Sequence, residues 1–425
     1  MAAARPCVRC TTLLLEVLKS SRSTWRSRTV VHALPVRTQL RRSFQTASND
    51  HKPNIPDFAF AFDIDGVLLR SSKALPRAQK ALKYLQSQRI PFILLTNGGG
   101  KYESERVDEL SDRLGVPLDN GMFIQSHTPF AEMVENSEMY GKGLKDSCIL
   151  VTGGDGDKCR HVAEKYGFRN VVIPGDIITE HPIIWPFAQN FLDYYRCHAR
   201  PLPRPINAED PSASLKIDAI FVFNDPRDWA LDTQLILDIL LSHNGILGTY
   251  SKLNDNPELP NRGFQQDGQP PLYFSNPDLL WAAAYHLPRL GQGGFRESLE
   301  GVWAAVTGGE KKGVKLLKTV IGKPYRDTFL FAEKKLKRHR PVILGKEAAK
   351  KGLKRVYMVG DNPESDIRGG NQFESPSGSE WYSILVRSGV YNGGEPAWKP
   401  KAIVNDVWDA VRLGLKNSHW RLPEE

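Results

Sequence analysis

The run Phe58-Ala-Phe-Ala-Phe62 followed by Asp63-Ile64-Asp65-Gly66 restricts this chain more than any other stretch. Consecutive apolar residues of this kind predict a central parallel strand covered on both faces. Side chains alternate along a strand, so Asp63 and Asp65 fall on one side, and Gly66 lets the backbone turn away just beyond them. In an open α/β sheet that carboxyl end is where ligands bind. Two neighbouring carboxylates repel unless a cation or proton intervenes, which points to a hard metal with oxygen ligands, most simply Mg²⁺. An isolated acid pair serves equally well to cap a following helix, so the rest of the chain has to decide.

Further strands break into polar residues in the same way. Helical spacing over residues 75 to 90 predicts a crossover helix, and Pro91 to Leu95 predicts a second buried strand ending in Thr96-Asn97-Gly98-Gly99-Gly100. A Thr hydroxyl, an Asn amide and bare backbone N–H groups suit a phosphoryl oxygen, although glycines alone mark only a turn. A polar helix from Glu103 to Leu114 and a strand from Phe123 to Thr128 follow. Near the carboxyl terminus Arg355 to Val359 is again apolar and breaks into Gly360-Asp361, with Asp366 five residues on. That strand would carry Asp361 to the edge that holds Asp63 and Asp65, with Lys323 of Gly322-Lys323-Pro324 neutralising the crowded charge. Tyr382 to Val386 predicts one more strand, and Val404 to Leu415 a closing helix.

Between these pieces lies a long region with α/β material of its own. Strands are expected at Cys148 to Thr152, Asn170 to Ile173, Ala219 to Phe223 and Leu272 to Phe274, and helices at Lys158 to Tyr166 and Leu231 to Leu241; after this region a helix resumes from Glu297 to Ala305. Residues 199 to 214 and 253 to 271 are rich in Pro, Asn, Asp and Gly and predict loops. Gly153 to Lys158 lacks phosphate-loop spacing and is taken as a strand-to-helix turn. Asn276 and Asp278 could face a substrate or could cap a helix beginning at Leu279. His181, His243 and His286 have no ligand spacing.

The formal charge of +9 would invite a nucleic-acid or membrane partner if it were spread over the chain. It is not, because residues 1 to 49 hold eight Arg and one Lys against Glu16 alone, which accounts for +8. An Arg-, Ser- and Thr-rich segment with an apolar patch at Leu13, Leu14, Leu15, Val17 and Leu18 has the composition of a mitochondrial transit peptide, the alternative being a disordered basic tail. No stretch approaches the ~20 apolar residues of a membrane span. Cys7 and Cys10 have no second pair to complete a zinc site, and Cys148, Cys159 and Cys197 are scattered, so neither disulfides nor a thiol nucleophile are expected.

Asp63-Ile64-Asp65-Gly66, Thr96-Asn97, Lys323 and Gly360-Asp361 with Asp366 resemble, in that order, the four motifs of the haloacid dehalogenase (HAD) superfamily of aspartate-nucleophile phosphohydrolases. The long insert resembles the large α/β (C2) cap of class IIA members, relatives of nucleotide, pyridoxal phosphate and glycerol phosphate phosphatases. Ser275-Asn276-Pro277-Asp278 resembles their cap stretch that reaches the substrate. Ser126 to Pro129, Ser275 to Trp281, Gly360 to Ile367 and Ser383 to Arg387 with Val390-Tyr391 are similar to the branch named for the cat eye syndrome critical region protein, whose members are commonly mitochondrial.

The resemblance implies a Rossmann-like doubly wound parallel-sheet core over 57–140 and 294–418, with the C2 cap over 141–293. It implies Asp63 as nucleophile and Asp65 as acid and base. Mg²⁺ would be held by Asp63, the Asp65 main-chain carbonyl, Asp361 and Asp366. The phosphoryl group would be held by Thr96, the amides of Asn97 and Gly98, and Lys323, with Asn276 and Asp278 reaching the substrate from the cap. The expected function is Mg²⁺-dependent hydrolysis of a small phosphorylated metabolite in the mitochondrial matrix, with a link to glycerol-phosphate or phospholipid metabolism. A homodimer through the cap is the partner foreseen, and nucleic acid is excluded by the cap. The alternative is a catalytically silent scaffold that binds a phosphate ligand. Many relatives read Thr-Asn-Asn-Ser where this chain has Thr96-Asn97-Gly98-Gly99, which puts the side-chain contacts of that loop in question.

Overall fold

The computed structural model describes residues 55–423 apart from 138–139, 208, 282–284 and 392. The expected transit segment and the Cys7-Cys10 pair lie outside the described residues. The chain opens with β1 (Phe58–Phe62), every residue of it buried, and a small hairpin of β2 (Leu69–Arg70) and β3 (Lys73–Ala74) follows. Helix α1 (Ala78–Ser87), which turns Ala78, Ala81, Leu82 and Leu85 inward, leads to β4 (Phe92–Leu95). Helix α2 (Glu103–Leu114) leads to β5 (Phe123–Ile124), shorter than the strand expected to Thr128 because a 3-10 turn begins at that residue.

The chain then builds a second sheet from β6 (Cys148–Thr152), β7 (Asn170–Val172), β8 (Ala219–Val222) and β9 (Leu272–Phe274). Helix α3 (Lys158–Tyr166) follows β6, and α4 (Trp229–Leu241) follows β8. No helix starts at Leu279. The segment instead forms a hairpin of β10 (Leu280–Trp281) and β11 (Arg289–Leu290), and α5 (Gln292–Thr307) begins directly after it. A short β12 (Thr319–Val320) ends the second sheet. Helix α6 (Arg326–Leu344) returns the chain to the first sheet, which is completed by β13 (Arg355–Gly360), β14 (Glu380–Val386), β15 (Ala402–Val404) and α7 (Val407–Asn417).

The first sheet is parallel in the order β15-β14-β13-β1-β4-β5. The chain winds outward from β1 in both directions, so the crevice beside β1 is the topological switch point of a doubly wound sheet. The second sheet, β12-β9-β8-β6-β7, is also parallel. Residues outside the expected cap limits of 141–293 also pack against it. Phe130, Met133 and Val134 already pack with Phe168, Phe221 and Phe223, while Phe295, Leu299 and Trp303 of α5 pack with the other face. The glycines at 293 and 294 hid the start of α5, because glycine reads as loop.

Trp303 is 1 % exposed and meets the Phe264 ring edge-on, whereas its neighbour Val302 is 40 % exposed. Trp303→Ala should therefore cost about 3–5 kcal/mol of stability and Val302→Ala less than about 0.5 kcal/mol, measured by denaturant unfolding. Equal losses would remove α5 from the core of the second sheet.

Candidate active site

The strand ends of the first sheet bring four acids and one lysine together. Asp63 follows β1, and its N–H donates to the Val359 carbonyl of β13 (2.9 Å). Asp361 follows β13 and lies in a cradle between Gly66 and Gly389, where a Cβ on either glycine would overlap its carboxylate. Gly66 also has φ +90°, so it is required twice over. The Val390 N–H donates to Asp361 Oδ2 (2.7 Å). A π-helical turn over Pro363–Ile367 folds Asp366 back over Gly360, another position with no room for a side chain. There the Asn362 N–H donates to Asp366 Oδ2 (3.1 Å).

Lys323 joins these pieces. Its Nζ lies 2.6 Å from Asp63 Oδ1 and 2.7 Å from Asp366 Oδ1, and it donates to the Leu95 carbonyl (2.9 Å). Two of its protons are thus given to Asp63 and Leu95, while Asp366 stands beside it as an ion-pair partner. Burial alone would push Lys323 down, but Asp366 and Asp63 outweigh it and hold the group above the ordinary lysine range. Burial pushes Asp63 well above the carboxylate range despite Lys323, with Asp366 and Asp361 adding to the rise. Asp361 is pushed up to about 7 by burial and then by Asp366.

Carboxylate oxygens of Asp63, Asp361 and Asp366 lie within 4.8 Å of one another, and all three residues are buried. With Asp65 nearby, four acids face one ammonium, a surplus of negative charge that a hard divalent cation such as Mg²⁺ fits by both donor type and charge. The Asp65 carboxylate stands outside that cluster, exposed toward the cavity, and its pKa is raised by the partial burial of its surroundings. Among the described residues His181, His243 and His286 join no such group.

A cavity of about 280 Å³ opens over the cluster. Asp63, Asp65, Thr96, Lys323 and Asp361 line it from the first sheet, and Asn224, Arg227, Asn276, Asp278, Leu280 and Trp281 from the second. The expected substrate contacts divide here. The Asn97 side chain is spent on the protein: its Oδ1 accepts from the Lys323 N–H (2.7 Å), and its Nδ2 donates to the Lys323 carbonyl (2.9 Å) and to Asp278 Oδ1 (3.1 Å). It clamps the lysine loop and the second sheet together. The Gly98 N–H donates to Thr96 Oγ1 (3.0 Å), so this amide is occupied while the Thr96 hydroxyl keeps a proton to offer. Asp278 is pushed up to about 6 by burial, with Lys323 opposing. Asn276 accepts from the Asp278 N–H (2.8 Å) and its own N–H reaches Gln292 (2.8 Å), so the pair shapes a turn at the cavity and caps no helix at 279.

Two family models match the chain, one described as haloacid dehalogenase-like hydrolase over residues 60–169 and one as HAD-hydrolase-like over residues 320–410. A mitochondrial hydrolase of Saccharomyces cerevisiae is 38% identical over 394 residues, covering 88% of this chain and 98% of that protein. The chain belongs to the haloacid dehalogenase-like hydrolases. A cardiolipin synthase (CMP-forming)/mitochondrial hydrolase fusion protein of Schizosaccharomyces pombe is 39% identical over 379 residues, or 88% of this chain, and the chain spans 56% of that protein's length. Among solved structures, a hypothetical protein from Pyrococcus horikoshii OT3 matches with a TM-score of 0.51 at 17% identity, covering 83% of this chain and 98% of that one, a likeness of fold alone.

In this hydrolase the Gly98-Gly99 departure has a physical cause that sequence reasoning missed. A Cβ on Gly99 would strike Ser126 Oγ and the His127 ring. His127 is fully buried; its Nε2 accepts from the Gly100 N–H (3.0 Å), and its Nδ1 lies 2.8 Å from Tyr166 Oη. Tyr166 Oη and Thr128 Oγ1 both donate to Glu103 Oε1 (2.5 and 2.7 Å). Tyr166 therefore accepts from Nδ1–H, and the ring is neutral. The network ties the loop at residues 96 to 100 to α3 of the second sheet. Ser126 to Pro129 was visible as a family detail, and the glycine run beside it was the signal for an intruding ring.

Burial lowers His127 to about 4, with Glu103 opposing. Because the folded pKa lies below the unfolded value near 6.5, the unfolded chain takes up the proton first as pH falls. The stability from neutral His127 is thus full above about pH 6.5 and is lost toward pH 4. Relative to His127→Gln, the chain should lose about 3 kcal/mol of unfolding free energy between pH 7 and pH 4. Parallel pH profiles for the two would show that His127 is not held neutral.

Proposed function

We propose that this hydrolase is a Mg²⁺-dependent phosphatase of the class IIA type, acting on a small phosphorylated metabolite in the mitochondrial matrix. The observation that carries the proposal is the commitment of Lys323 to Asp63 Oδ1, Asp366 and Leu95, which leaves an oriented Asp63 carboxylate lining a cavity of metabolite size. Such an arrangement suits a nucleophile, because the lysine fixes the carboxylate and balances its charge at the cavity wall, where it also faces an incoming phosphoryl group. The location follows the names of the two fungal relatives and the Arg-rich segment 1–49. The fusion partner named in the Schizosaccharomyces pombe protein supports a link to glycerol-phosphate or phospholipid metabolism.

In this mechanism a carboxylate oxygen of Asp63 attacks phosphorus, and the bond from phosphorus to the alcohol oxygen breaks as Asp65 gives that oxygen its proton. Asp65 then takes a proton from the water that attacks the aspartyl-phosphate, and the bond from phosphorus to Asp63 breaks to release phosphate. The raised pKa of Asp65 suits a group that must carry a proton into the first step. The Thr96 hydroxyl holds a phosphoryl oxygen. Asp63, Asp361, Asp366 and the Asp65 carbonyl would hold Mg²⁺, which supplies charge neutralisation for the phosphoryl group.

The test is Mg²⁺-dependent phosphate release from a panel of metabolites. Asp63→Asn should lower the rate by a factor on the order of 10³ or more, and Asp65→Asn by about 10²–10⁴. Activity unchanged by Asp63→Asn sinks the nucleophile, and ligand binding without turnover on any substrate returns the chain to the silent scaffold.

A further inference from the structure

The polarity of the cavity is graded. Its floor carries the acids and Lys323, its wall carries Asn224, Arg227 and Asn276, and its rim carries Leu280 and Trp281 of the β10–β11 hairpin. The apolar surface does not stop at the rim. Leu279, Leu280, Trp281, Tyr285, Leu287 and Leu290 are each 48–57 % exposed, so one short hairpin gathers six half-exposed large apolar side chains. Soluble surfaces seldom gather such residues in one place without a ligand or partner for them. The hairpin is also anchored, and Tyr285 keeps partners within it, its ring lying 4.3 Å from that of His286 and 4.5 Å beneath the Arg289 guanidinium. Leu280 pairs with Leu290 and Trp281 with Arg289, the Gly291 N–H donates to the Leu279 carbonyl (2.9 Å), and Leu290 rests so close to Gly294 that a Cβ there would press on it.

Resting on the phosphatase reading, we infer that the substrate is an amphiphilic phosphomonoester, whose phosphate and polar linker fill the cavity while an acyl, alkyl or prenyl tail leaves along the hairpin. Two observations select this occupant. The apolar strip is continuous with the cavity that holds Asp63, so a ligand in one meets the other. A cavity of about 280 Å³ takes a phosphate and a short polar linker but no long chain, so a tail has to exit, and Leu280 and Trp281 stand at the exit. The polar wall excludes a simple hydrocarbon directly on the phosphate as the best fit, because Asn224, Arg227 and Asn276 would lose their water without replacement. Chemistry at phosphorus is unchanged: the bond to the alcohol oxygen breaks, and the tail remains on the released alcohol.

The test measures binding and turnover on the full chain with a series of glycerol 3-phosphate and its 1-acyl esters of increasing length, kept below their micelle concentrations. Calorimetry on Asp63→Asn reads affinity without hydrolysis, and KM of the unaltered chain reads it independently should that variant fold poorly. The expected result is a dissociation constant that falls at least about twofold per methylene over the first several carbons. The double substitution Leu280→Ser with Trp281→Ser should cut that logarithmic slope by half or more, with thermal melting used to confirm folding. Affinity independent of chain length, or a slope untouched by the double substitution, overturns the inference. Flat affinity together with a self-association that Leu287→Ser abolishes assigns the hairpin to a second copy and also overturns it. Turnover with flat affinity sinks this inference alone. A steep length dependence without turnover sinks the phosphatase reading while supporting the tail subsite.

Discussion

Everything at this site depends on one buried ammonium. Lys323 is held by Asp63 from β1, by Asp366 from the turn after β13 and by the Leu95 carbonyl from β4, so a single side chain links three adjacent strands of the first sheet. Such a group survives burial only because its partners are close and complete. With Lys323 absent, Asp63 and Asp366 would face each other and Asp361 with no compensating charge, a loss on the order of 3–5 kcal/mol for a broken buried pair. The pair therefore contributes less to net stability than to fixing where the carboxylate of Asp63 points.

Lys323 also sits three residues after β12, which belongs to the second sheet through its pairing with β9. The charge that organises the first sheet thus arrives on a strand of the other. Asn97 closes the link by holding both the backbone of Lys323 and the carboxylate of Asp278, while His127 and Tyr166 make a second link at the opposite chain crossing. Both crossings meet the loop at residues 96 to 100. Any rotation of the second sheet has to be felt there, because the loop has few side chains of its own and takes its shape from these contacts.

Much of this was legible in the sequence, for identifiable reasons. Phe58 to Phe62 and Arg355 to Val359 are apolar runs that stop at an acid, and strands buried on both faces leave no other pattern. The positions of Asp63, Asp361 and Lys323 followed from the resemblance of short motifs. Less legible were features set by tertiary proximity. Gly66, Gly360 and Gly389 are glycines because carboxylates lie against them, which no local signal records. The start of α5 was hidden by Gly293 and Gly294, β12 is too short to show a period, and the apolar residues at 279 to 281 fit a helix as well as the hairpin they form. The part played by the Asn97 side chain was also hidden, since its two polar atoms are claimed by Lys323 and Asp278 across tertiary contacts.

Rigidity and adaptability are divided between the two sheets in a way that suits one chemistry on a chosen substrate. The acid cluster is closely held, since Asp361 is enclosed by two glycines and Asp366 lies against a third, with no room between them for a side chain. The rim has the opposite character, with side chains half in solvent on a two-stranded hairpin. Substitution at the rim changes what the cavity admits without disturbing the charges beneath it. Substitution at the floor disturbs Lys323 and hence all three strands. Leu280 and Trp281 at the rim are therefore less constrained by their neighbours than the arrangement around Asp63, which is fixed by packing.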